Sequence, residues 1–76
     1  MSKPIELYTT AGCPYCAAAR EDLEWRGLDF VEYDVEHDPT ARERMLLLTG
    51  GTRTVPVIME EGKPVQVGWA GRGCVI

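Results

Sequence analysis

The sequence has no apolar run long enough to span a bilayer and no cluster of basic residues. It carries eight Lys and Arg against twelve Asp and Glu, for a net charge of −4. A spanning helix needs about 20 consecutive apolar residues, and nucleic-acid binding depends on concentrated Lys and Arg, so neither a membrane nor a nucleic acid is an expected partner. The opening Met1-Ser2-Lys3-Pro4-Ile5-Glu6 lacks the apolar stretch of a secretory leader, and a cytoplasmic location is expected. Cysteine is scarce and odd in number. Three cannot all pair within the chain, which argues against a secreted disulfide scaffold. There is no internal repeat, low-complexity segment or linker.

What is present fits one small folded unit. Seventy-six residues, 45% hydrophobic and 26% charged, allow a single domain (1–76) with one core, and the charge content does not suggest disorder. A sheet of about four strands covered by helices is a plausible upper limit at this size.

The chain is organised around Cys13-Pro14-Tyr15-Cys16. These thiols sit where a strand (4–9) gives way to a helix (Pro14 to Arg26), with Pro14 suited to the first turn and Gly27 to the end. Free N–H groups and the dipole at a helix start favour a thiolate, so Cys13 is expected to be the nucleophile. Cys16, one turn on, can attack a mixed disulfide formed at Cys13, release the product and leave Cys13–Cys16 oxidised. Cys16, Ala19 and Leu23 share the helix side expected to face the sheet.

Leu28 to Val35 alternates as a second strand, parallel to the first through a right-handed crossover. Asp38-Pro39 signals a second helix, Thr40 to Leu48, closed by Gly50-Gly51, with Ala41, Met45 and Leu48 on its core face. Val57-Ile58-Met59 and Val65-Gln66-Val67 flank a turn and predict a β-hairpin. The glycine-rich tail from Gly68 to Cys74 predicts no final helix. The expected fold is therefore α/β, ordered β-α-β-α-β-β, with a four-stranded mixed sheet.

This order, with Cys13-Pro14-Tyr15-Cys16 at the first strand-to-helix turn and Thr54-Val55-Pro56 before the hairpin, resembles the glutaredoxins of the thioredoxin fold. The resemblance covers about four-fifths of the chain. It implies a thiol–disulfide oxidoreductase, a monomer, with Cys13 and Cys16 catalytic and no tightly bound cofactor. It also implies a cis bond before Pro56 and a Val55 backbone that pairs with bound peptide or glutathione. Tyr15, Thr54, Val55, Pro56 and Trp69 are the implied substrate-binding residues, disulfide-bearing proteins the substrates, and glutathione a possible co-substrate.

Departures from that pattern concern the electron donor. A basic residue common before the first cysteine is replaced by Thr9, Thr10 and Ala11, and the acidic pair and last helix that hold glutathione's γ-glutamyl end are missing. Arg53 is a candidate cation near the site. Trp69-Ala70-Gly71 resembles the Trp-Ser-Gly stretch of the small redoxins that serve ribonucleotide reductase, which implies thioredoxin reductase as an alternative donor. An iron–sulfur cluster carried between two subunits is a further alternative, against which Pro14 and Cys16 argue.

Other residues carry ordinary readings beside functional ones. Tyr15 either packs on substrate or is an exposed turn aromatic, and Trp69 either caps the core or offers a flat contact near Cys13, the reading its family position favours. Cys13, Cys16, Cys74 and His37 match a zinc set by count, but neither His37 nor Cys74 has a second ligand at zinc spacing. His37 is expected to be a solvated loop residue. Cys74 is expected to be a free thiol near the chain's end; the alternative is a folded-back tail in which it serves as an added resolving or regulatory thiol.

Overall fold

The computed structural model describes residues 4–76. Eight elements follow one another: β1 (Ile5–Thr9), α1 (Pro14–Trp25), β2 (Phe30–Asp34), α2 (Pro39–Thr49), β3 (Thr54–Val55), β4 (Val57–Glu60), β5 (Lys63–Val67) and β6 (Cys74–Val75). Four strands form a mixed sheet in the order β2-β1-β4-β5, with β1 parallel to β2 and the β1–β4 and β4–β5 pairs antiparallel. β3 and β6 make a separate two-stranded antiparallel sheet. The fold is thioredoxin-like and carries no helix after β5 among the described residues.

Local chemistry sets the element ends. Pro14 begins α1, and the chain leaves that helix through Gly27 at φ 68°, a left-handed conformation that glycine adopts without a Cβ penalty. The carboxylate of Asp38 accepts a hydrogen bond from the Ala41 amide at 3.1 Å, which satisfies one of the unpaired donors at the start of α2. The β4–β5 turn places Glu61 and Gly62 at φ 54° and 77°, the backbone pattern that matches the twist of a tight hairpin. A bulge between Ile58 and Met59 sets Pro64 opposite Met59 on the edge strand, where a missing N–H is tolerated.

The strand period of two sends side chains to two cores. Leu7 and Ile58 are paired across β1 and β4 and pack with Ala19 and Leu23 of α1, with Ile5, Phe30 and Trp69 around them. Tyr8, Val57 and Met59 point the other way and pack with Ala41 and Met45 of α2 and with Val35. The helices therefore cover opposite faces. The faces predicted for both helices hold: Cys16, Ala19, Leu23, Ala41 and Met45 are buried and Leu48 is half-buried.

Element boundaries differ from expectation by a residue or two, because the predicted strand at Leu28 begins at Phe30, the residue paired with Ile5 at the start of β1. The larger difference is β6. A two-residue strand carries too little alternation to read from sequence, and its partner Thr54-Val55 is equally short. No helix among the described residues is long and apolar enough to cross a membrane.

Candidate active site

The last residues of β1, the start of α1, the β3–β6 pair and the first residue of β4 converge on the cysteines. Cys13 occupies the N-cap of α1 in extended backbone conformation (φ −90°, ψ 117°), and its carbonyl accepts the Ala17 amide at 3.2 Å. The first turn holds no acidic residue, so the positive end of the helix dipole acts on the Cys13 sulfur without a competing negative charge from that turn. Cys16 follows in the same turn, buried among Tyr8, Val55 and Val57.

The sulfur of Cys13 is bonded to Cys74, 61 residues away, with the two Cα atoms 6.2 Å apart. Cys16 is a free thiol. One expectation is corrected here: Cys74 is not a free terminal thiol, since in this structure it is paired with Cys13 while Cys16 is free. The physical reason lies in the tail. β6 pairs with β3 so that Cys74 stands opposite Val55 and Val75 opposite Thr54, and this carries the Cys74 side chain to the start of α1. Burial pushes the Cys16 thiol up from its ordinary value; a backbone hydrogen bond from Thr10 opposes the shift, and the nearby Glu32 carboxylate adds to it.

The loop before the cysteines faces carboxylates. Thr9 Oγ1 donates to Glu32 at 2.9 Å, and Thr10 Oγ1 donates to Glu36. Glu32 is gripped in a two-pronged contact by Arg20 of α1, at 2.6 and 2.7 Å, and this guanidinium holds its carboxyl below the usual carboxylate range. The stretch that lacks a basic residue in the sequence thus presents hydroxyls committed to acidic partners.

Val55 and Pro56 are both buried, and the peptide bond between them is cis, as the resemblance implied. Tyr15 is half-buried, packs against the cluster that holds both cysteines, and lines an open groove of about 620 Å³ with Thr54, Arg72 and Gly73. Trp69 does not line this groove. It packs half-buried against the Leu7, Ala19, Leu23 and Ile58 cluster, as the core-capping reading has it. Its placement follows from a tight turn, in which Trp69 and Arg72 exchange backbone hydrogen bonds of 2.6 and 2.9 Å.

Arg53 turns toward the tail, where its Nε donates to the Ile76 carbonyl at 2.9 Å. His37 is exposed and bonded through Nδ1 to Asp34 at 2.8 Å, a contact that raises its pKa. Among the described residues no group of three or more His, Cys, Asp or Glu side chains is placed to hold a metal. A larger cavity, about 880 Å³, opens beside Pro4, Ile5, Leu28 and Val65 at the start of β1, and no cysteine lines it.

The residues that sequence reasoning missed are Thr10, Glu32, Glu36 and Gly73. The carboxylates carried little signal: Glu32 and Glu36 meet the Thr9 and Thr10 hydroxyls, 23 and 26 positions earlier, because β1 and β2 are parallel and in register.

Comparison with known proteins accords with this geometry. Residues 5–65 match the family model described as Glutaredoxin. A protein of Synechocystis sp. carrying the name "Probable glutaredoxin" is 43% identical over 54 residues, which make up 71% of this chain and 50% of that protein. Glutaredoxin 3 of Escherichia coli is 34% identical over 61 residues, covering 80% of this chain and 72% of its own length. The crystal structure of the thioredoxin-like protein BC3987 superposes with a TM-score of 0.74 at 33% identity, covering 80% of this chain and 82% of that one. The chain spans half to about two-thirds of the length of the first curated relatives it matches.

Proposed function

The chain belongs to the glutaredoxin family, and from that premise we propose that it is a thiol–disulfide oxidoreductase, reducing protein disulfides or glutathione mixed disulfides through Cys13 and Cys16. The observation that carries this reading is the position of Cys13 at the N-cap of α1, with Cys16 within the following turn. As a thiolate, Cys13 attacks one sulfur of the substrate disulfide and expels the other as a thiolate. Cys16 then attacks the Cys13 sulfur and releases the remaining substrate thiol. Two electrons pass from the dithiol to the substrate, and an external thiol donor restores the reduced pair. Val55 packs in the same cluster as Cys13 and offers its backbone to a substrate chain once β6 leaves it, while Tyr15 and Thr54 line the groove through which that chain approaches.

The protein is proposed to act as a cytoplasmic monomer without a tightly bound cofactor, glutathione entering as a co-substrate. A second donor, thioredoxin reductase, is favoured by one specific observation: the Thr10 hydroxyl ahead of Cys13 is bonded to the Glu36 carboxylate, a poor setting for a glutathione carboxylate. The test follows NADPH oxidation with a small disulfide substrate in two assays, one supplying glutathione and its reductase, the other thioredoxin reductase. Turnover in one assay identifies the donor, and Cys13→Ser is expected to reduce it to background. No turnover of the wild-type chain in either assay would overturn the oxidoreductase reading.

A further inference from the structure

Resting on the oxidoreductase reading, we propose that Cys74 is an added resolving thiol that reaches the Cys13 mixed disulfide ahead of Cys16: β6 delivers it to Cys13, the Cys13–Cys74 disulfide forms first with the tail strand closing the site, and Cys16 acts on Cys13 afterwards or where the tail is displaced. Four observations carry the proposal. Cys13 and Cys74 are bonded, and Cys16 is free and buried. The tail is seated rather than trailing, since Cys74 and Ile76 pack against the cluster that contains Cys13 and Cys16.

Backbone bonds hold the same segment in place. The Ile76 amide donates to the Arg53 carbonyl at 2.9 Å, beside the β3–β6 register that pairs Cys74 with Val55. The approach also requires glycine. A Cβ on Gly73 would lie 2.6 Å from both the Val55 carbonyl oxygen and Thr54 Cγ2, and a Cβ on Gly68 would lie 2.6 Å from the Arg72 carbonyl oxygen. Two close backbone approaches thus fold the tail onto β3 and set its cysteine against the start of α1. Burial also raises the Cys16 thiol from its ordinary value, which lowers the share of it present as the attacking thiolate.

The chemistry balances without a further reagent. The Cys13 thiolate attacks a substrate disulfide, forming a bond to one substrate sulfur and expelling the other as a thiolate. The Cys74 thiol gives its proton to solvent and attacks the Cys13 sulfur; the Cys13–Cys74 bond forms, and the second substrate thiolate leaves. The substrate disulfide has gained two electrons, and Cys13 and Cys74 have lost two. An external dithiol reverses the last bond, or Cys16 attacks Cys13, which transfers the disulfide to Cys13–Cys16 and frees the Cys74 thiolate. While β6 is bonded in place, the Val55 edge is occupied by the chain's own strand, so a substrate chain cannot pair there until the tail is reduced.

The test oxidises the fully reduced chain with an equimolar amount of hydroxyethyl disulfide, traps remaining thiols with N-ethylmaleimide in denaturant, and maps the linkage by mass spectrometry. Trypsin cuts after Arg20 and Arg72, and chymotrypsin cuts after Tyr15, so each pairing yields a distinct set of peptides. The expected result is a Cys13–Cys74 crosslink early in the reaction with maleimide on Cys16. Cys16→Ser is expected to lose both of its remaining thiols to that crosslink, and Cys74→Ser to shift the linkage to Cys13–Cys16. A Cys13–Cys16 disulfide from the earliest times, with Cys74 labelled, would overturn the proposal. So would a Cys16→Ser protein that accumulates a mixed disulfide between Cys13 and 2-mercaptoethanol and forms no internal crosslink; in both cases Cys13 has reacted and the oxidoreductase reading stands. If Cys13 fails to react in any of these proteins, both fall.

Discussion

Gly73 and Val55 approach so closely that a Cβ on the glycine would sit 2.6 Å from the Val55 carbonyl oxygen, below any ordinary van der Waals separation. The contact ties β6 to the residue before the cis peptide bond at Pro56. The obstruction is backbone and a buried residue, so it cannot be relieved by turning a flexible side-chain end. Gly73→Ala is expected to destabilise the domain by about 1–3 kcal/mol, the usual cost of overpacking. Urea unfolding of the oxidised protein measures it. Under reduction the cost should shrink, because the tail is then free to leave β3, and an equal loss in both states would show that Gly73 acts elsewhere.

Met45 carries much of the packing between α2 and the sheet. It is fully buried, among Tyr8, Val35, Val57 and Met59. Met45→Ala removes buried apolar atoms and leaves a cavity, an expected loss of about 2–5 kcal/mol. Whole-domain stability at this size is on the order of 4–11 kcal/mol. The variant should therefore be unfolded in part at room temperature, visible as lost near-ultraviolet dichroism with a lowered urea midpoint.

The parts legible in the sequence are those with a repeating pattern or punctuation. β1 alternates cleanly, Pro14 and Gly27 bracket α1, Asp38-Pro39 and Gly50 bracket α2, and the hairpin shows as two apolar runs around Glu61-Gly62. The motif around Cys13 and the Val55-Pro56 pair were equally plain. What escaped was short or long-range. β3 and β6 are two residues each, so neither shows a period, and their pairing joins Thr54 to Val75 and Val55 to Cys74, far apart in sequence. Trp69 had two readings of similar weight, and the choice depended on a turn closed by backbone bonds to Arg72, which side-chain identity does not encode.

Alkaline conditions should weaken the fold in two stages. Burial raises the Tyr8 phenol to about 12, with the Arg44 guanidinium, which donates to the hydroxyl at 3.0 Å, opposing the shift. Burial also raises the Cys16 thiol. For both groups the folded state keeps its proton where the unfolded chain has lost it. The stability they contribute is present in full below the unfolded pKa and disappears as pH rises through the folded value. Cys16 begins to erode stability above its ordinary ~8.5, and Tyr8 between ~10 and about 12. Tyr8→Phe should flatten the upper stage while leaving the lower, in urea titrations run at a series of pH values. Equal slopes in the two proteins above pH ~10 would contradict the assignment.

Acid should act through Glu32, with the opposite sign. Arg20 is the larger cause of its lowered carboxyl pKa, and the Thr9 hydroxyl adds to it. A depressed folded pKa contributes stability above the unfolded value of ~4.3 and loses it as pH falls through the folded one. The pair is partly exposed, at 40% for the Arg20 side chain and 30% for Glu32, so solvent screens it and the gain is at most about 1 kcal/mol. Arg20→Gln should therefore unfold at a slightly lower urea concentration at neutral pH, and the gap should close as pH falls toward ~3 and as salt rises. Because Arg20 and Glu32 join α1 to β2 rather than touching the cysteines, the variant should form the same disulfides as the wild type. A gap that persists undiminished in acid would mean that Arg20 stabilises the domain by packing its stem rather than by charge.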